Sequence, residues 1–204
     1  MTLPIVVVSG LPRSGTSLMM QMLEAGGVPQ LIDGVRAPDE DNPRGYFEFE
    51  PVKAIGSDAS FLDAAPGRAI KIVAPLLRFL PSTFEYRVLM MEREMGEVLA
   101  SQASMLERSS PLAAARGGGP DAGVMASAFE SVMERVDAFV ADSPNINLIH
   151  ISHADTLADP GGVAGHVARY LAPLGGDFDV TAKIDRMAAV VSPELYRAKL
   201  LAEG

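Results

Sequence analysis

One short segment combines glycines, hydroxyls and a cation in an order that could hold an anion: Gly10-Leu-Pro-Arg-Ser-Gly-Thr-Ser17. Backbone N–H groups of such a loop, and of a helix that follows it, converge on a bound anion, and the helix dipole favours negative charge there. Thr16 and Ser17 can add hydroxyl donors, and Arg13 adds a fixed positive charge with several N–H donors. The segment therefore predicts a site for a phosphate or a similar anion.

The spacing of this loop matches the G-x-x-x-x-G-K-[ST] loop of ATP- and GTP-binding proteins except at one position. Thr16 stands where that loop carries its lysine. The missing lysine neutralises the β- and γ-phosphates during phosphoryl transfer. An ordinary NTPase or kinase is therefore the weaker interpretation, and a purely structural glycine turn is the other alternative.

Two further cations, Lys71 and Arg93, lie close to the ends of predicted strands at 69–73 and 86–92. Parallel sheets bind ligands at the carboxyl ends of their strands. Arg13, Lys71 and Arg93 are therefore expected to meet beside the glycine loop. The competing interpretations are a strand-end lysine at the surface and a surface arginine paired with Glu94 or Glu97.

The elements that must position these residues alternate along the chain. Residues 4–9 are short, continuously apolar and β-branched, which is typical of a strand buried on both faces. Residues 16–24 read as a helix closed by Gly26-Gly27. The other predicted strands cover 69–73, 86–92 and 147–151, and the other predicted helices cover 75–80, 94–107, 124–141, 160–171, 181–190 and 193–201. This alternation predicts an α/β fold of three layers, α/β/α, with a mainly parallel sheet.

We expect a single domain over residues 1–204. The stretch 33–51 is polar and contains three prolines, so it predicts a long loop followed by a short helix. The stretch 108–123 is rich in glycine and small residues, and we expect a mobile loop there that could act as a lid.

The composition excludes several classes of function. A net charge of -9 with no basic tail argues against a general nucleic-acid or anionic-membrane binder. The absence of cysteine excludes disulfides, cysteine-ligated metals and thiol nucleophiles, and three histidines make a histidine metal site improbable. No apolar run approaches the roughly 18 residues of a membrane span. The N-terminus lacks a basic leader, so a cytoplasmic protein is expected.

The segment Pro12-Arg-Ser-Gly-Thr-Ser17 resembles the 5′-phosphosulfate loop of sulfotransferases that use 3′-phosphoadenosine 5′-phosphosulfate (PAPS). Arg93-Glu-Met-Gly-Glu-Val-Leu-Ala-Ser101 resembles the 3′-phosphate element of that family. The resemblance implies a P-loop kinase-like fold and PAPS, or its product 3′-phosphoadenosine 5′-phosphate (PAP), as the ligand. It also implies the cofactor-binding residues Arg13, Ser14, Gly15, Thr16, Ser17, Arg93 and Ser101.

Two other segments are similar to bacterial members of the family. Residues 41–48 resemble its N-P-x-G-Y-x-E segment, and residues 153–160 resemble its Y-E-D-L-x-x-D-P stretch, with His153 where a tyrosine is usual. The matches together extend from about residue 4 to about residue 171.

The general base is where the chain departs from the family pattern. Cytosolic members have a K-x-H-x-P segment whose histidine is the base, and here Lys71-Ile-Val-Ala-Pro75 keeps the lysine but has Val73 at the histidine position. Other branches of the family use a glutamate, and Glu48 is our choice. If Tyr46, Phe47 and Phe49 exclude water from its carboxylate, Glu48 becomes a better base.

Glu40, Asp41 and Glu50 are competing carboxylates, and solvated loop charges are the simpler interpretation of all four. His150 and His153 are expected to be packed or capping residues.

The expected reaction is metal-free, in-line transfer of a sulfuryl group from PAPS to a hydroxyl or amine of a small-molecule acceptor. Arg13 and Lys71 would stabilise the charge that develops, and Glu48 would take the proton. The acidic surface disfavours a polyanionic acceptor. The alternatives are a nucleotide-dependent kinase with a degenerate loop and a nucleotide-binding relative that has lost its base. The sequence leaves the acceptor and the oligomeric state open.

Overall fold

The computed structural model describes residues 3–39, 42, 44–109 and 121–192. Within these ranges four strands form one parallel sheet in the order β2-β1-β3-β4. The strands are β1 (Ile5–Gly10), β2 (Ala69–Lys71), β3 (Tyr86–Glu92) and β4 (Ile146–Ser152). The helices are α1 (Thr16–Ala25), α2 (Met95–Ser109), α3 (Ala122–Ala141), α4 (His153–Ala158), α5 (Pro160–Leu171) and α6 (Ile184–Ala189).

The central strand β1 is buried along its whole length, as its apolar sequence predicts. Val6 and Val8 pack into a core with α1, α5 and α6. Ile5 and Val7 point to the opposite face, where they join a second core that includes Val136 of α3. Because successive side chains alternate across a strand, one apolar segment contributes to both cores. The predicted three-layer α/β/α fold with a parallel sheet is confirmed, and it is consistent with the P-loop-like fold.

Local differences from the predicted elements have simple causes. The segment after β2 is a short 3-10 helix, Ala74–Phe79, and it ends because Leu80, the residue before Pro81, is held in an extended conformation. An additional helix, α4, begins directly after β4, and Ser152 caps it by accepting a hydrogen bond from Asp155 N at 3.1 Å. The predicted cap at Asp159 is confirmed: its side chain accepts from Gly162 N at 2.9 Å.

The predicted loop over 33–51 is irregular where the structure describes it, and two 3-10 helices, Glu50–Ala54 and Ser60–Ala64, follow before β2. Residues 110–120 of the glycine-rich stretch and the predicted helix at 193–201 lie outside the described residues. Asp121, at the far end of that stretch, caps α3 through its side chain. In the described part of the chain, no helix has the length and apolar character needed to cross a bilayer.

All four strands end at the same edge of the sheet because they are parallel. The glycine loop follows β1, Lys71 ends β2, Arg93 follows β3 and His153 follows β4. The fold therefore brings these four distant segments to one edge.

Candidate functional site

A cavity of about 350 Å³ opens at this carboxyl edge of the sheet. All of the predicted site residues except Ser14 line it: Arg13, Gly15, Thr16, Ser17, Glu48, Lys71, Arg93 and Ser101. Among these predicted residues, the two that are furthest apart in the sequence are Arg13 and Ser101, which are separated by 88 positions.

The glycine loop has a backbone that few side chains would tolerate. Gly15 has a φ of 98°, and a Cβ at this position would lie 2.5 Å from Cδ2 of His153. A Cβ at Gly10 would lie 2.6 Å from the carbonyl oxygen of Met91. Arg13 has a φ of 71°, which is uncommon for a residue other than glycine. Backbone strain of this kind is concentrated at functional sites.

The first turn of α1 is available to an anion. The first N–H groups of any helix lack an acceptor within the helix, and the cap residue of α1 is Gly15, which has no side chain to accept from them. Thr16 and Ser17 begin this turn and line the cavity. The arrangement is that of a helix N-terminal anion site.

Ser14 differs from its neighbours in the loop. It is buried, and its Oγ has no hydrogen-bond partner among the residues that the structure describes. Its backbone N–H donates to Leu11 O at 3.2 Å. Ser14 does not line the cavity, so its predicted contact with the cofactor stays a prediction.

Arg13, Arg93 and Ser101 form one connected unit. Arg13 Nε donates to Ser101 Oγ at 2.9 Å, and Arg93 donates through a terminal guanidinium nitrogen to the carbonyl oxygen of Arg13 at 2.9 Å. Arg93 Nε also pairs with Glu97 Oε2 at 3.0 Å. The ion pair with Glu97 is therefore present, but Arg93 is not a surface residue, because only 9% of its side chain is exposed.

Lys71 is buried, so the interpretation of a surface lysine is wrong. Its side chain is 8% exposed. Nζ donates to Tyr46 O at 2.8 Å and to Ser17 Oγ at 3.3 Å, and it lies 3.4 Å from Glu48 Oε1. Burial lowers the pKa of this amine, and the neighbouring Glu48 carboxylate acts in the opposite direction. Lys71 thus joins the glycine loop to the segment that carries Glu48.

Glu48 lies between two cations. Its Oε1 is 3.1 Å from a guanidinium nitrogen of Arg36 and 3.4 Å from Lys71 Nζ. The residues on either side hold it there: Phe47 packs against the core on the α1 face, and Phe49 packs against the core on the α3 face. The setting is charged instead of apolar, which differs from the aromatic enclosure expected from the sequence.

Among the competing carboxylates, Glu50 is exposed and pairs with Lys53 at 2.8 Å, away from the cavity lining. Glu40 and Asp41 lie outside the described residues. Glu48 is the carboxylate that lines the cavity within the described ranges.

His153 lines the cavity beside the glycine loop, at the first position of α4. Burial lowers its pKa to about 4, and the positive charge of Arg93 acts in the same direction. The imidazole is therefore neutral at pH 7. Its ring fills the space that the missing side chain of Gly15 leaves open, so it is packed, as expected. His150 is exposed, with Nδ1 2.7 Å from Glu92 Oε1.

Sequence reasoning missed two cations of the cavity wall, Arg36 and Arg44. Both lie in the irregular loop between α1 and β2, where the spacing of residues in the sequence does not predict which way their side chains point. The guanidinium of Arg36 lies 3.3 Å from the centre of the Tyr46 ring. Arg44 donates to Gln21 Oε1 at 3.5 Å and to the carbonyl oxygen of Val190. The sequence feature that could have indicated Arg44 is the segment 41–48, which resembles a segment of the sulfotransferase family and contains this arginine.

The cavity is far more cationic than the chain. Among the described residues it is lined by five cations and one carboxylate: Arg13, Arg36, Arg44, Lys71 and Arg93, and Glu48. The whole chain carries a net charge of -9. Low-dielectric walls lined by one sign of charge concentrate ligands of the opposite sign. In the described ranges no three His, Asp or Glu side chains are grouped closely enough to hold a metal ion.

No protein-family model matches the chain, and no curated protein matches it. Among solved structures, the chain is similar to the sulfotransferase domain from the Synechococcus PCC 7002 olefin synthase. That similarity has a TM-score of 0.44 at 12% sequence identity, and it covers 99% of this chain and 96% of the other.

Proposed function

We propose that this protein is a PAPS-dependent sulfotransferase that moves a sulfuryl group to a hydroxyl or amine of a small molecule. The observation that carries the proposal is the convergence of Arg13, Lys71 and Arg93 on one cavity at the N-terminus of α1, whose cap residue is a glycine, in a chain that is otherwise acidic. Few ligands other than a compact polyanion would need this set of donors.

The residues present fit PAPS. Its phosphosulfate and its 3′-phosphate are carried by one ribose, so their protein partners must lie side by side. The Arg13–Ser101 and Arg93–Arg13 hydrogen bonds, both 2.9 Å, supply this adjacency. The N–H groups of α1, with Thr16 and Ser17, would hold the phosphosulfate, and Arg93 and Ser101 would hold the 3′-phosphate. Bound PAPS supplies the activated sulfuryl group.

The charges of the site can act on the bond that breaks. Arg13 is a fixed cation in the loop, and Lys71 Nζ is held 3.3 Å from Ser17 Oγ at the start of α1. Cations placed before the reaction stabilise the charge that develops on the leaving phosphate without reorganising. The same contacts would hold the acceptor and donor in line.

Glu48 is the proposed base. Its Oε1 faces the cavity within 3.4 Å of Lys71 Nζ, so a proton taken from the acceptor would be received next to the charges that act on the sulfuryl group. His153 is a poorer candidate, because its ring packs against Gly15 of the glycine loop, on the side proposed for the cofactor.

One observation keeps a nucleotide-dependent kinase as the second candidate. Lys71 Nζ lies 3.3 Å from Ser17 Oγ, so a lysine from β2 reaches the loop that lacks its own lysine. A charge at that position could also serve a γ-phosphate. The inactive relative is the third alternative, and Val73 in the cavity wall, where the family has its histidine, is the feature that favours it.

Calorimetric titration separates these functions. PAP and ATP–Mg²⁺ are titrated separately into the protein. The sulfotransferase proposal requires that PAP binds more tightly than ATP–Mg²⁺, and the reverse order supports the kinase. Tight PAP binding without transfer from PAPS to a broad panel of alcohols and amines supports the inactive relative.

A further inference from the structure

Arg36 and Arg44 line the cavity but have no role in the cofactor site proposed above. Both lie on the loop between α1 and β2. Both are exposed, and Arg36 has 42% of its side chain accessible. Two accessible guanidinium groups in one cavity wall form a place where a ligand anion would be held.

Arg44 lies beyond the phosphate-binding end of α1. Asn42 Nδ2 donates to Ser17 Oγ at 2.8 Å, which ties the loop to the first turn of the helix. Arg44 then reaches Gln21 Oε1 at 3.5 Å. Residues four positions apart lie on the same helix face, so Arg44 contacts α1 about 6 Å, or just over one turn, further along. The guanidinium is thus displaced from the place proposed for the phosphosulfate.

Arg36 lies directly beside the proposed base. Its guanidinium is stacked on the Tyr46 ring at 3.3 Å, and one terminal nitrogen is 3.1 Å from Glu48 Oε1. Stacking holds the planar group in place and leaves N–H donors at its edge for a ligand. An anion bound by Arg36 would therefore belong to the molecule whose proton Glu48 takes.

The charges on this side of the cavity are not balanced. In the described ranges, Glu48 is the single carboxylate in the lining, and it lies against both Arg36 and Lys71. The partners that the described chain offers Arg44 are neutral oxygens, from Gln21 and from the Val190 carbonyl. Arg13 and Arg93 are already assigned to the cofactor phosphates. The part of the cavity that remains for the acceptor therefore has more positive than negative side chains among the described residues.

We infer that Arg36 and Arg44 bind an acidic group of the acceptor, so that the substrate is a hydroxy or amino compound carrying a carboxylate or a phosphate. This inference rests on the proposed function, because it defines the acceptor side relative to the cofactor side. The fork of an arginine matches the oxygens of either anion. A single acidic group is also compatible with an outer surface that would repel a polyanion.

The test compares the wild-type protein with the double variant Arg36→Gln/Arg44→Gln and with Arg135→Gln, which removes one exposed charge on α3 outside the cavity lining. PAP is titrated first. The PAP complex is then titrated with a length series of ω-hydroxycarboxylates and ω-aminocarboxylates, their methyl esters, and the matching ω-hydroxyalkyl phosphates.

We expect the double variant to keep its PAP dissociation constant within about twofold and to lose acid affinity by roughly tenfold or more, since each lost charged contact is worth at least about a factor of ten. Arg135→Gln should keep both affinities. The carboxylate and phosphate series, compared with each other, identify which anion the site prefers.

Three results would overturn the inference: methyl esters that bind as well as their acids, acids that do not bind the wild-type complex at millimolar concentration, or a large loss of PAP affinity in the double variant. The last result would assign both arginines to the cofactor. Failure of PAP to bind the wild-type protein would instead contradict the proposed function. The same acids titrated into the free protein would still show whether Arg36 and Arg44 hold an anion.

Discussion

The two halves of the cavity are built in different ways. The half proposed to hold the cofactor, called the cofactor half, takes its groups from the ends of strands: the loop after β1 and Arg93 after β3, with Ser101 facing them from α2. The half proposed to hold the acceptor, called the acceptor half, contains Arg36, Arg44 and Glu48 and is carried by an irregular loop held by side-chain contacts. The sheet positions the cofactor half, whereas packing against the sheet positions the acceptor half. Substitutions in the cofactor half should therefore change cofactor binding, and substitutions in the acceptor half should change acceptor binding or the transfer step.

The largest difference between the effect on turnover and the effect on cofactor affinity is expected for Glu48→Gln. Loss of a general base should lower kcat by roughly 10²–10⁴-fold, while the PAP affinity changes little because Glu48 is not a predicted cofactor ligand. Single-turnover kinetics with PAPS, together with PAP calorimetry, measure both quantities. Glu50→Gln, an exposed carboxylate outside the cavity lining, is the matched control. Unchanged turnover in Glu48→Gln would move the base elsewhere.

Arg13→Ala and Arg93→Ala should show the opposite pattern. Each loses charged contacts to the cofactor, which should weaken PAP binding by about 1.5–3 kcal/mol per contact. Calorimetry of both variants gives the dissociation constants. Arg68→Ala removes an exposed arginine outside the cavity lining and controls for the change in net charge. Wild-type affinity in both Arg13→Ala and Arg93→Ala would contradict the assignment of the cofactor half.

His153 makes the cofactor half sensitive to acid. Its folded pKa of about 4 lies below the ordinary histidine value of 6.5, so the unfolded chain takes up a proton that the folded chain does not. Stability is therefore lost as the pH falls from about 6.5 towards 4, and this residue should account for about 2 kcal/mol between pH 7 and pH 5.

Urea unfolding at the two pH values measures this effect. His153→Gln should lose about 2 kcal/mol less than the wild-type protein over that interval. His166→Gln, at an exposed position of α5, is the matched control and should keep the wild-type loss. Equal losses in wild type and His153→Gln would show that burial of this imidazole does not limit stability in acid.

The smallest expected effect is that of Ser101→Ala. It removes one neutral hydroxyl that accepts a hydrogen bond from Arg13 Nε at 2.9 Å. The loss in PAP affinity should be about 0.5–1.5 kcal/mol, less than for either arginine. Ser104→Ala, also on α2 but outside the cavity lining, is the control. A loss as large as that of Arg93→Ala would mean that Ser101 chiefly positions Arg13.

The two halves of the cavity also differ in how many of their residues could be predicted from the sequence. The glycine loop was predictable because its spacing, its positive-φ positions and the following helix are local properties of the backbone. Lys71 and Arg93 were singled out by the resemblance of their segments to a known family, and their meeting was predictable because strand ends of a parallel sheet lie at one edge. Arg36 and Arg44 were not predictable, because a loop without periodicity gives no direction to its side chains.

The surroundings of Glu48 are the part of the site that the sequence predicted wrongly. Its nearness to aromatic residues suggested an apolar enclosure, yet Phe47 and Phe49 pack into opposite cores and leave the carboxylate between Arg36 and Lys71. The identities of the neighbours were readable from the sequence, but the directions in which they point depend on two separate packing interfaces.

The amino-acid sequence by itself determined the four strands, most of the helices and the position of the glycine loop, because these follow from local periodicity and turn chemistry. It also placed Lys71 and Arg93 near strand ends, which the geometry of a parallel sheet brings to one edge. The tertiary structure alone decided that a chain with a net charge of -9 places five cations around one cavity. The physical reason is that net charge is a sum over the whole chain, whereas a ligand responds to the charges within a few ångströms of it.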